Sequence, residues 1–195
     1  APPSFASILL PNAKYGMQRT GWERDSLYLL FDCAPWGGGH SHQDRLQVMV
    51  HAGRDLLLDP GIYSYDQPLS GSYFRKSRAH NVLLIDEQEQ IAADPRVLAW
   101  STAPGFDLAV GEIADPKSGL RHRRTVLFVK PDYWLVVDHV LGTGEHDLTR
   151  LWNLPPTEIA WEGNRVETRF DAGTNILLQG LDEARVEARQ GWLPT

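Results

Sequence analysis

The stretch Thr125-Val126-Leu127-Phe128-Val129-Lys130-Pro131-Asp132-Tyr133-Trp134-Leu135-Val136-Val137-Asp138-His139-Val140 decides the fold class. Its two arms are rich in Val, Leu and aromatic residues, a composition that suits a pleated, half-buried strand. Between them, Lys130-Pro131-Asp132 sets a turn, because proline fixes φ and aspartate bonds to nearby backbone. The stretch reads as a β-hairpin. Outward from it the same grammar repeats at residues 26–31, 46–50, 82–85, 108–113, 166–170 and 175–179. Ala52-Gly53-Arg54-Asp55 and Glu162-Gly163-Asn164 supply further tight connections. No segment sustains an apolar stripe at helical spacing; residues 88–98 come nearest, and Pro95 interrupts them. The expected fold is all-β, an antiparallel sandwich or barrel. Without a fixed-period repeat, a linker or a break in composition, residues 1–195 read as one domain.

Composition narrows the function classes. The chain has 195 residues, 42% hydrophobic and 23% charged, with 17 Gly and 13 Pro, close to the globular average and long enough to bury a core. Apolar runs such as Leu56-Leu57-Leu58 are far shorter than the roughly 18–20 residues of a membrane span. A net charge of −6 argues against a general nucleic-acid surface, which needs a basic excess. A polyanionic substrate needs only a locally basic cleft and stays open. The single Cys33 sits in an apolar run and reads as a buried structural thiol. The start, Ala-Pro-Pro-Ser-Phe, has neither the basic nor the apolar region of a signal peptide. Both ends read as cut: Gly191-Trp192-Leu193-Pro194-Thr195 leads toward a closing strand, as in a domain taken from a longer protein.

The chemistry concentrates in Gly37-Gly38-Gly39-His40-Ser41-His42-Gln43-Asp44-Arg45. In an extended chain, His40, His42 and Asp44 would share one face, since side chains alternate. Three glycines let that loop pass close to a neighbour, because no Cβ obstructs it. Asp59 follows an apolar strand at Leu58-Asp59-Pro60-Gly61, and His80 stands at the mouth of the next strand in Arg78-Ala79-His80-Asn81. Each residue alone suits a structural role. Together, His42, Asp59 and His80, drawn from three adjacent strands, offer two imidazoles and a carboxylate, a three-ligand set suited to Zn²⁺. Tyr63, Tyr65, Tyr73, Arg75, Lys76 and Arg78 interleave rings and cations, as an acidic sugar requires. Arg121-His122-Arg123-Arg124 is expected to be a solvated basic face, and His51, His139 and His146 to be structural.

The strings Gly39-His40-Ser41-His42-Gln43-Asp44, Leu58-Asp59-Pro60-Gly61 and Tyr73-Phe74-Arg75-Lys76-Ser77-Arg78-Ala79-His80-Asn81 resemble the C-terminal β-sandwich of the heparinase II/III family of polysaccharide lyases, relatives of the alginate and oligoalginate lyases. Order and spacing agree across residues 39–90, and the later β segments are compatible. The resemblance implies a large, supersandwich-like antiparallel β-sandwich preceded by an N-terminal α/α toroid, with the cleft between them. It implies His40 as the catalytic histidine and His42, Asp59 and His80 as ligands of a structural zinc; among the interleaved rings and cations, Tyr73, Arg75 and Arg78 are the candidates to bind substrate. The implied partners are an acidic polysaccharide or oligosaccharide and the chain's own toroid, whose catalytic tyrosine and carboxylate-neutralising Asn or His map onto nothing in this chain. Neither nucleic acid nor membrane is expected; a homodimer is left open. The expected location is periplasmic or secreted rather than cytoplasmic.

The implied reaction is β-elimination at a uronic acid. A base takes the C5 proton and an acid protonates the departing oxygen at C4, steps open to an imidazole, which titrates near neutrality. No water is consumed, so a zinc here would order loops rather than generate hydroxide. Two other readings compete. One is a non-catalytic carbohydrate-binding sandwich with a structural metal. The other is a cupin-type metalloenzyme, which expects a glutamate about four residues after the second histidine, where this chain has Leu46.

Overall fold

The computed structural model describes residues 1–189 and 191. Five strands, β1 (Ile8–Leu10), β2 (Tyr15–Arg19), β3 (Tyr28–Asp32), β4 (Val48–His51) and β5 (Asp55–Leu57), form one antiparallel sheet in chain order. The next strand, β6 (Leu83–Ile85), lies outside it. A second antiparallel sheet holds β7 (Arg96–Ala103), β8 (Phe106–Ala114), β9 (Arg121–Val129) and β10 (Tyr133–Leu141), again in sequence order. Then β11 (Leu148–Arg150) returns to pair with β6, and β12 (Glu158–Glu162), β13 (Arg165–Arg169) and β14 (Leu177–Gln179) make a small third sheet. The all-β antiparallel sandwich is therefore as the sequence led one to expect. The hairpin that opened the reading is β9–β10, paired without a break from Tyr133↔Val129 to Leu141↔Arg121.

Alternation explains why the two large sheets stack. Leu29, Phe31, Val48 and Val50 point from the first sheet at Ala109, Ile113 and Val126 of the second, and Trp100 and Trp134 close the sides. Burying a side chain of this size contributes roughly 1.5–3 kcal/mol. The approach is tightest at Gly111 on β8. A Cβ there would come within 2.6 Å of Leu46 and 2.8 Å of Phe31, so only glycine lets the sheets meet. Cys33 is wholly buried beside it, and burial pushes its thiol up to about 12, as befits a packing residue.

Residues 88–98 form no helix, in keeping with the interruption at Pro95; β7 begins at Arg96, and a bulge sets Leu98 opposite no residue of β8. Three expectations need correction. Residues 40–44 are not a strand: Gly38–His40 makes one helical turn and the chain beyond it is irregular, so His40, His42 and Asp44 share no pleated face. The metal-ligand candidates likewise stand on loops at strand ends rather than in three adjacent strands. The run at 121–124 is only half solvated. It alternates along β9, so Arg121 and Arg123 face out while His122 and Arg124 turn into the protein. The expected closing strand at residues 192–195 lies outside the described residues. Among those described, no helix is long and apolar enough to cross a membrane.

Candidate functional site

The loops at one end of the first sheet carry the site. One runs from Cys33 to Gln47 between β3 and β4; another leaves β5 through Asp59-Pro60-Gly61; a third descends through the helical turn Ser77–Ala79 to His80. They bring His42, Asp59 and His80 together, with one ligand-type atom of each within 4.8 Å of the others. His80 is fully buried, and its Nδ1 donates to Asp59 Oδ2 at 3.0 Å. Gln47 Nε2 donates to the same oxygen at 2.9 Å, and the Gly61 N–H reaches Asp59 Oδ1 at 2.7 Å. Asp59 thus caps its own Pro-Gly turn and also faces the two imidazoles. Burial alone would push its carboxyl up, but these hydrogen bonds and the His80 ring hold it down at about 2. His42 lies 5.2 Å from His80 ring to ring, and burial, then the neighbouring His80, push it below the usual imidazole range.

The surroundings favour a cation. His80 Nε2 is buried and has no hydrogen-bond partner among the described residues, an arrangement that costs free energy unless something fills it. Asp32 and Asp44 share one guanidinium nearby: Arg45 lies 2.8 Å from Asp44 and 3.8 Å from Asp32. Burial, then the charge of Asp44, push the Asp32 carboxyl up to about 7, against the opposing pull of the Ala34 N–H and Arg45. Two imidazoles and a carboxylate, an orphaned buried nitrogen and an excess of negative charge are the chemistry of a divalent-metal donor set.

The backbone beneath these side chains is held from several sides. Asn81, wholly buried beside His80, donates from Nδ2 to Val48 O at 2.8 Å and Leu58 O at 3.0 Å, while its Oδ1 accepts from the Asn153 N–H at 2.6 Å. Arg124 Nη1 donates to Asn81 O at 2.7 Å and Leu46 O at 2.9 Å. Leu46 has φ +63°, rare for a bulky residue, and such strain persists only where neighbours over-determine it. Here the Leu46 N–H bonds to Asp32 O at 2.8 Å while Arg124 holds its carbonyl. Gln90 adds a clamp, accepting from the Arg45 N–H and donating to the Arg45 carbonyl.

His40 sits two residues before His42, exposed on its helical turn. Its Nδ1 lies 3.1 Å from the Tyr65 hydroxyl, and the rings meet edge-on with centroids 5.3 Å apart. Arg75 reaches across the glycine loop to the carbonyls of Gly39 and Ser41, the latter at 3.1 Å, so its guanidinium braces the His40 segment. Arg78 pairs with Glu87 at 2.7 Å. Tyr73 is half-buried, edge-on to Phe74. Gln47, Gln90 and Arg124 escaped the sequence reading because their partners lie far along the chain, and no local pattern marks a side chain that serves distant backbone. Tyr65 was within reach as one of the rings between Asp59 and His80, but nothing in the sequence paired it with His40.

Fold and site together define a class: an antiparallel β-sandwich whose loops assemble a His/Asp/His donor set beside an exposed histidine. A profile of the family described as Heparinase II/III-like, C-terminal, matches residues 3–194, and the chain belongs to that family. It is 28% identical over 198 residues to a heparin-sulfate lyase of Pedobacter heparinus, covering 96% of this chain and 30% of the relative. A heparin-sulfate lyase of Bacteroides stercoris is 24% identical, covering all of this chain and 30% of the relative. The crystal structure of heparan sulfate lyase HepC from Pedobacter heparinus superposes with a TM-score of 0.86 at 27% identity, over 94% of this chain and 30% of that one. The chain therefore spans about 30% of the length of the relatives it matches.

Proposed function

We propose that this chain is the β-sandwich part of a polysaccharide lyase that cleaves a uronic-acid polymer of the heparan sulfate type by β-elimination, working with a preceding toroidal domain. The observation that carries the reading is His40, exposed on a turn braced by Arg75, with one ring nitrogen engaged by Tyr65 and standing beside the His42–Asp59–His80 set. An imidazole so oriented can take the C5 proton of a uronate or give a proton to the C4 oxygen. The C5–H and C4–O bonds break, a C4=C5 double bond forms, and the proton goes to the leaving oxygen, so no water enters. His40 takes one of these proton-transfer roles, with the complementary one falling to a side chain of the other domain. Tyr65 acts as a positioning residue that fixes which imidazole nitrogen faces the substrate.

His42, Asp59 and His80 would hold a divalent cation, Zn²⁺ by their donor types. Bound there, it supplies charge compensation and ties three loops into one piece. Its place in this reading is structural: the proton transfers belong to His40 and its partner.

The test uses the full-length protein and heparan sulfate. Ultraviolet absorbance from 4,5-unsaturated uronate should rise with time. The His40→Ala variant should lower kcat by about 10²–10⁴-fold, the usual worth of a positioned acid or base. A variant as fast as the parent removes His40 from the chemistry. No absorbance from the parent on any uronate polymer, despite binding, leaves a carbohydrate-binding role instead.

A further inference from the structure

The outer face of the first sheet carries a second constellation, at the opposite end from Asp59. The register places Arg19 of β2, Tyr28 of β3 and His51 of β4 in one row across the sheet. The Arg19 guanidinium lies 4.0 Å from the centre of the Trp22 ring and 4.7 Å from that of Tyr28. Its Nε is buried without a hydrogen-bond partner among the described residues, so the ring faces of Trp22 and Tyr28 define its surroundings. Trp22 is itself fixed: its Nε1 donates to Phe5 O at 2.6 Å, and Phe5 meets it edge-on at 5.8 Å. Yet Trp22 stays 41% exposed, which leaves apolar surface open to a ligand. A cavity of about 270 Å³ opens here, with Arg24 and Glu23 on its exposed rim.

A second hollow, about 220 Å³, shares Tyr28 and His51 with the first and runs past Met49 and Leu58 to Asp59. The two hollows thus adjoin at Tyr28 and His51, where Asp55 lies 2.9 Å from the His51 ring, between Asp59 and the Trp22 platform. A rigid ring offers its face to the apolar side of a pyranose, and a cation beside it attracts a carboxylate or sulfate. With Arg19 and Arg24 against Glu23, the Trp22 hollow carries a positive excess within a chain of net charge −6, while Asp55 and Asp59 line the hollow beside it.

We infer that Trp22, Arg19 and Arg24 form a distal subsite for an anionic sugar, occupied by the same polysaccharide that enters the His40 centre and several units along from it. The inference rests on the function proposed above but is read out by binding rather than by cleavage. The experiment takes the full-length protein carrying His40→Ala, to prevent turnover, and titrates it calorimetrically with heparan sulfate oligosaccharides of increasing, defined length. Affinity should rise once the oligosaccharide is long enough to reach Trp22. In Trp22→Ala that increment should vanish, a loss of about tenfold for the long oligosaccharides, with short ones unaffected. Trp22→Phe should recover most of it. Arg24→Glu, on the exposed rim and away from the core, should weaken the same long oligosaccharides and flatten their salt dependence. Long oligosaccharides that bind Trp22→Ala and Arg24→Glu as tightly as the parent would overturn the subsite, as would a parent whose affinity does not depend on length. Length-dependent binding lost in both variants, from a parent with His40 restored that never cleaves, would sustain the subsite while refuting the lyase reading.

Discussion

Among the described residues, two His–Asp pairs set a buried histidine against an aspartate, and they are built to different ends. In one, His122 Nε2 contacts Asp138 Oδ1 at 2.7 Å, and the pair is closed from within. Arg124 grips both Asp138 oxygens at 2.8 and 3.0 Å, and Arg150 adds a contact at 3.3 Å. Burial works against the Asp138 charge, but Arg124 and His122 hold the carboxyl far below the usual carboxylate range. In the other pair, Asp59 faces His80 with no guanidinium at hand among its contacts, and His80 keeps a buried nitrogen without a partner. The first pair brings its own cation; the second leaves a place for one. A buried ionic cluster that is complete supports the fold, whereas an incomplete one points to a ligand. The closed pair also underpins the open one, since Arg124 reaches on to the carbonyls of Leu46 and Asn81.

The hardest blow to this contrast is to break the closed pair. Arg124→Met leaves Asp138 buried and short of charge, and the expected cost is about 3–5 kcal/mol in urea denaturation, the range for removing one member of a buried ion pair. A smaller loss would mean that Arg150 and His122 compensate. Next comes the open pair. For a cation at a hundred times its Kd, chelation should lower stability by about 2.7 kcal/mol, while His42→Ala should lose the bound metal and make stability indifferent to chelator. Equal sensitivity of parent and variant would refute the cation site.

Acid distinguishes the pairs more gently. Burial, outweighing Asp138, keeps His122 below its ordinary 6.5 in the folded chain, so the unfolded chain binds its proton first as pH falls. Stability from this group is whole above 6.5 and declines below it, by at most about 1.4 kcal/mol per pH unit. Asp138, depressed from 3.8, adds its own loss only below that value. Asp32, raised to about 7, works in the opposite sense between 3.8 and 7, so the prediction lies in a difference. His122→Gln should show a shallower fall than the parent between pH 6.5 and 5. Parallel curves would remove His122 from the acid response. The smallest effect belongs to the surface: Arg78→Ala gives up its half-exposed pairing with Glu87 and should cost no more than about 1 kcal/mol.

What could be read in advance followed the physics of locality. The β9–β10 hairpin and the turns at Gly53 and Gly163 were legible because alternation and turn chemistry are written within a few residues. The His42–Asp59–His80 set was legible as residue types, and the loops do bring it together. The carriers were misjudged, because three glycines before His40 allow a helical turn as readily as an extended passage. The basic run at 121–124 misled for a related reason: its charge suggested solvent, yet period two put every second member inside, where Arg124 meets Asp138, the residue opposite it in the β9–β10 register.

The bulge in β7 has a consequence for how this sequence tolerates change. Val97 pairs with Gly111 and Ala99 with Val110, so Leu98 is a supernumerary residue, 41% exposed, between two core-facing side chains, Val97 and Trp100. Removing that codon would leave the inward order of Val97 and Trp100 intact and turn an interrupted ladder into a regular one. Deletion of Leu98 is therefore a lighter perturbation than deletion of Val97, and variation in length along this edge strand has a natural place to occur.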